Sequence, residues 1–162
     1  MHSVKAYLKN QAEHHGYSKR VNPPVFRYRS DQPVRLSAHH AVFELSHHLV
    51  FATRYRQGVF NNQAGSELVN YWLKVAEKRG FAIDQATILP DHVHLLVRTV
   101  AKLTIEEVAL SLMNNTQHWM AHHYPRLLIR AKFDQLWQPS AYSGTCGRAT
   151  TGQIKAFLGS AL

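Results

Sequence analysis

The most informative stretch of the chain is Leu89-Pro90-Asp91-His92-Val93-His94-Leu95-Leu96-Val97. A Pro-Asp turn opens an apolar run that carries two histidines. Side chains alternate between the two faces of a β-strand, so His92 and His94 are expected to point the same way, and Val93, Leu95 and Val97 the other way, into a core. Two imidazoles on one strand face provide half of a metal site. The same spacing also suits two buried, hydrogen-bonded histidines.

The composition indicates one basic domain. The chain has 162 residues, 45% of them hydrophobic, which is enough for a single domain with its own core. No apolar run is long enough to span a bilayer, and residues 1–5 lead into no apolar signal segment. Cys146 is the single cysteine, which excludes an internal disulfide and a cysteine-based zinc site. We therefore expect an intracellular protein.

The charge favours a polyanionic partner. Lys and Arg number 19 against 10 Asp and Glu, a formal net charge of +9, and nucleic acid is the most frequent partner of such proteins. Residues 1–37 hold seven basic and two acidic residues. We interpret them as a basic N-terminal extension ahead of a domain at residues 38–162. A phosphate-binding arm and a poorly ordered extension both fit this composition.

Residues 41–53 are predicted to form a strand because their side chains alternate in character. One face holds Phe43, Leu45, His47, Leu49 and Phe51, and the other holds Val42, Glu44, Ser46, His48 and Val50. Directly after it come Arg54, Tyr55 and Arg56. Such a cluster can bind phosphates and stack on bases in DNA, although it also fits an ordinary solvated strand end.

Further periodicity predicts the remaining elements. We expect helices at residues 63–79, at 104–123 after a Thr104–Glu107 capping box, and at 151–161, with strands at 81–89, 92–99 and around 136–147. The order β-α-β-β-α-β plus a C-terminal helix predicts an α+β fold. Its antiparallel sheet would carry helices on one face, as in ferredoxin-like and RRM-like folds. We expect His92 and His94 on the other, exposed face.

Four segments, in their order and spacing, resemble the small single-strand DNA transposases of bacterial insertion sequences. These form the insertion sequence 200/605 family of the HUH class. The segments are residues 48–56, 89–97, 136–140 and 145–147, and Pro-Asp-His-Val-His-Leu-Leu-Val within the second is the most specific. The resemblance extends from about residue 38 to the C-terminus.

This resemblance implies a homodimer that binds single-stranded DNA with hairpin ends, in the cytoplasm of a bacterium or archaeon, with no membrane association. A tyrosine of the last helix attacks the scissile phosphate and forms a phosphotyrosine. A divalent metal, Mg²⁺ or Mn²⁺, polarises that phosphate and is held by two histidines and a glutamine. His92 and His94 match the two histidines.

The last helix departs from the family pattern at both functional positions. Phe157 stands where the family has its tyrosine nucleophile, and Ala161 where it has the metal-binding glutamine. Phenylalanine has no nucleophilic oxygen and alanine binds no metal, so we expect no covalent cleavage by this chain, and its status as an enzyme is open. Phe157 is an engineered change, or the chain is a natural inactive relative, or another tyrosine such as Tyr142 acts.

The sequence therefore fits two functions: a single-strand DNA transposase, and a catalytically inactive relative that binds hairpin or single-stranded DNA or RNA. An RNA-recognition-motif protein would need aromatic residues on its central strands, where His92 and His94 stand. A histidine-triad hydrolase would need a third histidine where Leu96 stands, and the two His-x-Thr/Ser motifs of a two-histidine phosphodiesterase are absent.

Overall fold

The computed structural model describes residues 26–32, 34, 36, 44–131, 135–145 and 158–159. The strands are β1 (Phe26–Arg29), β2 (Glu44–Thr53), β3 (Ala82–Leu89), β4 (His92–Val100) and β5 (Trp137–Thr145). The helices are α1 (Asn62–Arg79), α2 (Ile105–His123) and α3 (Pro125–Ala131), and a single 3-10 turn spans Arg54–Arg56. Among the described residues, no helix is both long and apolar enough to cross a bilayer.

All five strands form one antiparallel sheet in the order β1-β3-β4-β2-β5. The central strand is β4, which pairs with β2 on one side and β3 on the other. Its alternation is the predicted one: Val93, Leu95 and Val97 belong to the core beneath α1 and α2. The predicted α+β fold, with an antiparallel sheet and helices, is confirmed.

The two long helices start and end where their sequences provide caps. The side chain of Asn61 accepts a hydrogen bond from the Ala64 amide at the start of α1, and Gly80 ends it with a left-handed φ of 83°. In α2, Thr104 and Glu107 form the predicted capping box. Within the core, the indole Nε1 of Trp72 in α1 donates to the Thr116 hydroxyl of α2 at 2.8 Å.

The strand β1 lies inside the predicted N-terminal extension and was not predicted. It pairs with β3 from Phe26 opposite Ile88 to Arg29 opposite Gln85. Phe26 also packs on α1, where a Cβ added to Gly65 would lie 3.0 Å from the Phe26 Cβ. The four residues alternate between half-buried and exposed, which is typical of an edge strand. The division at residue 37 remains a prediction, and part of the basic segment belongs to the sheet.

Two further differences concern the second half of the chain. Residues 125–131, predicted as a basic connection, form the short helix α3. The predicted last helix lies largely outside the described residues. Its two described residues, Leu158 and Gly159, are helical, and Leu158 is buried.

Candidate functional site

The two histidines of β4 lie side by side on the sheet face opposite α1 and α2. His92 pairs with Ala52 of β2 and His94 with Val50, while Phe51 of β2 and Val93 between them point into the core. The two ring centroids are 5.1 Å apart. Both rings are fully buried, so the expectation that this face is exposed was wrong. Leu158 of the last helix is also buried, and its backbone carbonyl accepts a hydrogen bond from Arg56 near His92.

The orientation of His92 is set by the residue that precedes it. Its Nδ1 lies 2.6 Å from Oδ1 of Asp91, and Oδ2 of Asp91 accepts from Nε of Arg56 at 2.9 Å. Burial raises the pKa of Asp91, but the hydrogen bond and charge of His92 and the Arg56 guanidinium outweigh it and hold that pKa below its usual range. Burial lowers the pKa of His92, and the hydrogen bond and charge of Asp91 offset part of that shift. A neutral His92 that donates from Nδ1 to this carboxylate keeps its lone pair on Nε2.

A third histidine, His48 of β2, contacts Nδ1 of His94. Nε2 of His48 lies 3.1 Å from Nδ1 of His94, and the two rings stack with centroids 5.3 Å apart. Burial lowers the pKa of His48 to about 4, so this imidazole is neutral at neutral pH. Tyr142 of β5 meets the His48 ring edge-on at 6.3 Å, and burial raises the pKa of its phenol.

The Arg-Tyr-Arg cluster forms the tight turn after β2, and its three side chains have different surroundings. Tyr55 is 59% exposed, and the Arg54 guanidinium lies 5.4 Å from its ring centroid. Arg54 also donates to the side-chain oxygen of Gln135 at 3.0 Å. Arg56 instead points toward Asp91 and the last helix, and its side chain is only 13% exposed. The cluster therefore divides into an outward pair and an inward arginine.

The two histidines fit a divalent cation as part of its coordination shell. Each ring has its Nδ1 engaged by a partner, Asp91 or His48, which is the usual arrangement behind a metal-ligating imidazole. Within the described ranges, no group of three or more His, Cys, Asp or Glu side chains could hold a metal ion. The described residues could therefore provide two nitrogen ligands, His92 and His94. The expected third position, Ala161, and the nucleophile position, Phe157, lie outside the described residues.

Comparison with known proteins gives the family. The family model described as "Transposase IS200 like" matches residues 41–160. The chain belongs to this family. The ISDra2 transposase TnpA of Deinococcus radiodurans is 27% identical over 117 residues, which cover 72% of this chain and 84% of that protein. The transposase of insertion sequence element IS200 from Salmonella typhimurium is 22% identical over 119 residues, covering 74% and 78%.

Solved structures agree with this IS200-like transposase in fold. A crystal structure described as a transposase from Deinococcus radiodurans R1 superposes with a TM-score of 0.70 at 25% identity, covering 77% of this chain and 96% of that one. A structure described as a REP-associated tyrosine transposase bound to a REP hairpin has a TM-score of 0.50 at 14% identity. It covers 80% of this chain and 68% of that one, and it is a likeness of fold alone.

Two residues of the site, His48 and Asp91, were not predicted from the sequence of this IS200-like transposase. His48 was placed on the correct strand face but was given no role, because its contact with His94 depends on the register between β2 and β4. Asp91 was interpreted only as a turn residue. A carboxylate directly before a potential metal-ligating histidine was the available signal, since such histidines usually donate to a carboxylate.

Proposed function

We propose that this IS200-like transposase binds folded single-stranded DNA with hairpin ends, and that in its present form it does not cleave that DNA through a phosphotyrosine. The observation that carries the proposal is the pair of neighbouring imidazoles His92 and His94, each held at Nδ1 by a partner. The net charge of +9 supports a polyanionic partner. A hairpin ligand is also supported by the structural neighbour that is described as hairpin-bound.

The contact with DNA is assigned to the outward part of the turn after β2. Tyr55 presents an exposed ring on which a base can stack, and Arg54 lies against that ring with its charge available to a phosphate. Arg56 was grouped with them on sequence, but its guanidinium is engaged by Asp91 and by the Leu158 carbonyl. We therefore assign base stacking and phosphate contact to Tyr55 and Arg54.

The cation, Mg²⁺ or Mn²⁺, would be held by Nε2 of His92 and Nε2 of His94. A bound divalent cation neutralises charge on the non-bridging oxygens of the scissile phosphate. The protein's own part is to hold the two rings still: Asp91 orients His92 and His48 orients His94. With Ala161 at the glutamine position, two imidazoles alone form an incomplete site for a hard cation, so the affinity is weak.

Binding without cleavage follows from the residue at the nucleophile position. Phe157 has no oxygen with which to attack phosphorus, and the position matches the family tyrosine by its place in Ile154-Lys155-Ala156-Phe157-Leu158. The inactive relative that binds hairpin DNA or RNA is therefore the form of the function that this sequence supports best. The resemblance to the family supports a homodimer as the binding species.

The test is binding of a fluorescent hairpin DNA, followed by anisotropy over a series of salt concentrations. Affinity should fall steeply as salt rises, because phosphate contacts release counterions. Tyr55→Ala should weaken binding about 5- to 150-fold, the equivalent of about 1–3 kcal/mol for a lost base stack, whereas Tyr55→Phe should bind like the unmodified chain.

Arg54→Ala should reduce the salt slope by about one phosphate contact. The matched control is Arg79→Ala, an exposed arginine at the far end of α1. A flat salt response, or equal affinity for duplex DNA of the same sequence, would exclude this function. A tighter complex with the RNA hairpin would identify the RNA-binding form.

A further inference from the structure

The side chain of Arg56 connects two parts of the chain that lie 102 residues apart in sequence. Its Nε and Nη2 approach Oδ2 of Asp91 at 2.9 and 2.8 Å, and its Nη1 donates to the backbone carbonyl of Leu158 at 2.8 Å. Nη2 is also 3.4 Å from Nδ1 of His92. One guanidinium thus contacts the last helix, the turn before β4 and the first histidine of the pair.

The backbone at Arg56 and at the preceding residue, Tyr55, is in an unfavourable conformation. Tyr55 and Arg56 have φ values of 55° and 54°, in the left-handed region that residues with a Cβ rarely adopt. The result is that Tyr55 faces solvent while Arg56 faces the site. Non-glycine residues in this region persist where surrounding contacts enforce them, and they cluster at functional sites.

Several hydrogen bonds enforce the turn from both sides. The Thr53 hydroxyl lies within hydrogen-bond distance of the carbonyls of Gln57 and Asp91, at 2.7 and 2.9 Å. The Thr53 amide donates to the Asp91 carbonyl, and the Arg54 amide to the Leu136 carbonyl, each at 2.9 Å. The turn is therefore fixed to the same Asp91 whose carboxylate the arginine binds. Asp91 therefore contacts the turn through its backbone carbonyl and both Arg56 and His92 through its carboxylate.

An ordinary surface ion pair would not require this arrangement. The two oxygens of Asp91 are divided, Oδ2 to Arg56 and Oδ1 to Nδ1 of His92. The third guanidinium donor goes to a main-chain carbonyl of the last helix. A planar fork with donors in fixed directions can bind two such acceptors at once, whereas the single ammonium of a lysine is a point charge on a flexible stem. The contacts depend on the shape of arginine as well as on its charge.

We propose that Arg56 is a positioning residue: it fastens the last helix beside the histidine pair of the same chain and, through Asp91, keeps the proton of His92 on Nδ1. This inference deepens the proposed function and rests on it. The residue acts on the geometry of the site and does not contact DNA. It couples the position of Leu158 to the direction of the His92 lone pair.

The test uses two readouts on the full chain without DNA or metal. Hydrogen–deuterium exchange measures how firmly residues 150–162 are held, and long-range ¹H–¹⁵N correlation spectra report which nitrogen of His92 carries the proton. Arg56→Lys keeps the charge and should still pair with Asp91, so the variant should fold. We expect it to speed exchange in residues 150–162 at least about tenfold, as a lost hydrogen bond implies. Asp91→Asn should shift the His92 proton away from Nδ1.

The control is Arg79→Lys, which should leave both readouts unchanged. Arg56→Gln removes the charge as well and should change both. If Arg56→Lys gives the same exchange in residues 150–162 as the control, the proposal is wrong. It is also wrong if Arg56→Gln leaves the His92 tautomer unaltered. Failure of the unmodified chain to bind hairpin DNA would overturn the proposed function and leave these two readouts interpretable.

Discussion

Nε2 of His48 lies 3.1 Å from Nδ1 of His94, although the two residues are 46 positions apart in sequence. Pairing of β2 with β4 brings them together: His48 lies opposite Leu96, and His94 opposite Val50, on one sheet face. The rings stack at an angle of 22°. Each potential metal ligand therefore has a partner on its Nδ1: Asp91 on that of His92, and His48 on that of His94.

We predict that His48→Ala weakens cation binding about 10- to 100-fold, the usual effect of removing a partner that orients a metal ligand. The measurement is Mn²⁺ binding followed by electron paramagnetic resonance, in an Ala161→Gln background that supplies the missing family ligand. His118→Ala is the control, because His118 is exposed on α2. Equal Mn²⁺ affinity for His48→Ala and the control would show that His48 does not orient His94.

The low pKa of His48 predicts acid sensitivity of the fold. Burial lowers this pKa from 6.5 to about 4. Between these two pH values His48 is protonated in the unfolded chain and neutral in the folded chain. The free energy of unfolding should therefore be fully retained above pH 6.5 and fall as pH drops toward 4, by about 3 kcal/mol for this group. Urea unfolding at a series of pH values, with a chelator present, measures it.

His48→Gln cannot titrate and should flatten this dependence. Some slope should remain in that variant, because burial lowers the pKa of His47 and also that of His92. If the pH dependence of His48→Gln matches that of the unmodified chain, His48 is not held neutral by burial.

The sequence was sufficient to predict the central strand, because its residues alternate between two faces: Val93, Leu95 and Val97 share one face, and the two histidines share the other. The caps of α2 and the stop at Gly80 were equally local signals, and they were confirmed. The strand β1 was not predictable in this way. It has only four residues and lies in a basic segment beside two prolines, so its pairing with β3 is a tertiary effect.

The candidate site was predictable only in part, for the same reason. Two histidines on one strand face follow from the period of a strand, whereas the contact of His48 with His94 requires the register of a second strand. The Arg-Tyr-Arg cluster was interpreted as one DNA-binding unit. Its division depends on left-handed backbone at Tyr55 and Arg56, which no residue preference signals, since neither is glycine, asparagine or aspartate.

The packing of β1 on α1 predicts that Gly65→Ala has opposite effects on stability in the presence and absence of β1. In a helix, Gly→Ala stabilises by about 1 kcal/mol, but the new Cβ would lie 3.0 Å from the Phe26 Cβ, and overpacking costs about 1–3 kcal/mol. Gly65→Ala should therefore destabilise the full chain slightly. In a chain that lacks residues 1–37 it should stabilise, because the next contact, Ile88 Cγ2 at 3.6 Å, is ordinary. Urea unfolding of both chains measures the difference.

Gly80→Ala is the matched control for this experiment. Gly80 has a left-handed φ of 83° and no atom within 4 Å of an added Cβ, so this change should destabilise both chains by the same amount, about 1 kcal/mol. Truncation also tests the predicted domain of residues 38–162, which should fold without β1. The same sign for Gly65→Ala in both chains would argue against the docking of Phe26 on α1.

The last prediction concerns the chemistry that position 157 lacks. We expect Phe157→Tyr, incubated with hairpin DNA and Mn²⁺, to form a covalent protein–DNA adduct, because the phenol supplies the missing nucleophile. Adding Ala161→Gln should raise the yield, since a third ligand completes the shell around a hard cation. The measurement is a denaturing gel with labelled DNA, and the unmodified chain should give no adduct.

Tyr142 is the control residue for this experiment, because it is the described tyrosine that contacts the ring of His48. Phe157→Tyr combined with Tyr142→Phe should still form the adduct. An adduct formed by the unmodified chain and abolished by Tyr142→Phe would move the nucleophile to β5. Burial raises the pKa of Tyr142, which makes its phenolate harder to form. That shift disfavours Tyr142 as the attacking group, and it leaves the last helix as the place where cleavage is restored.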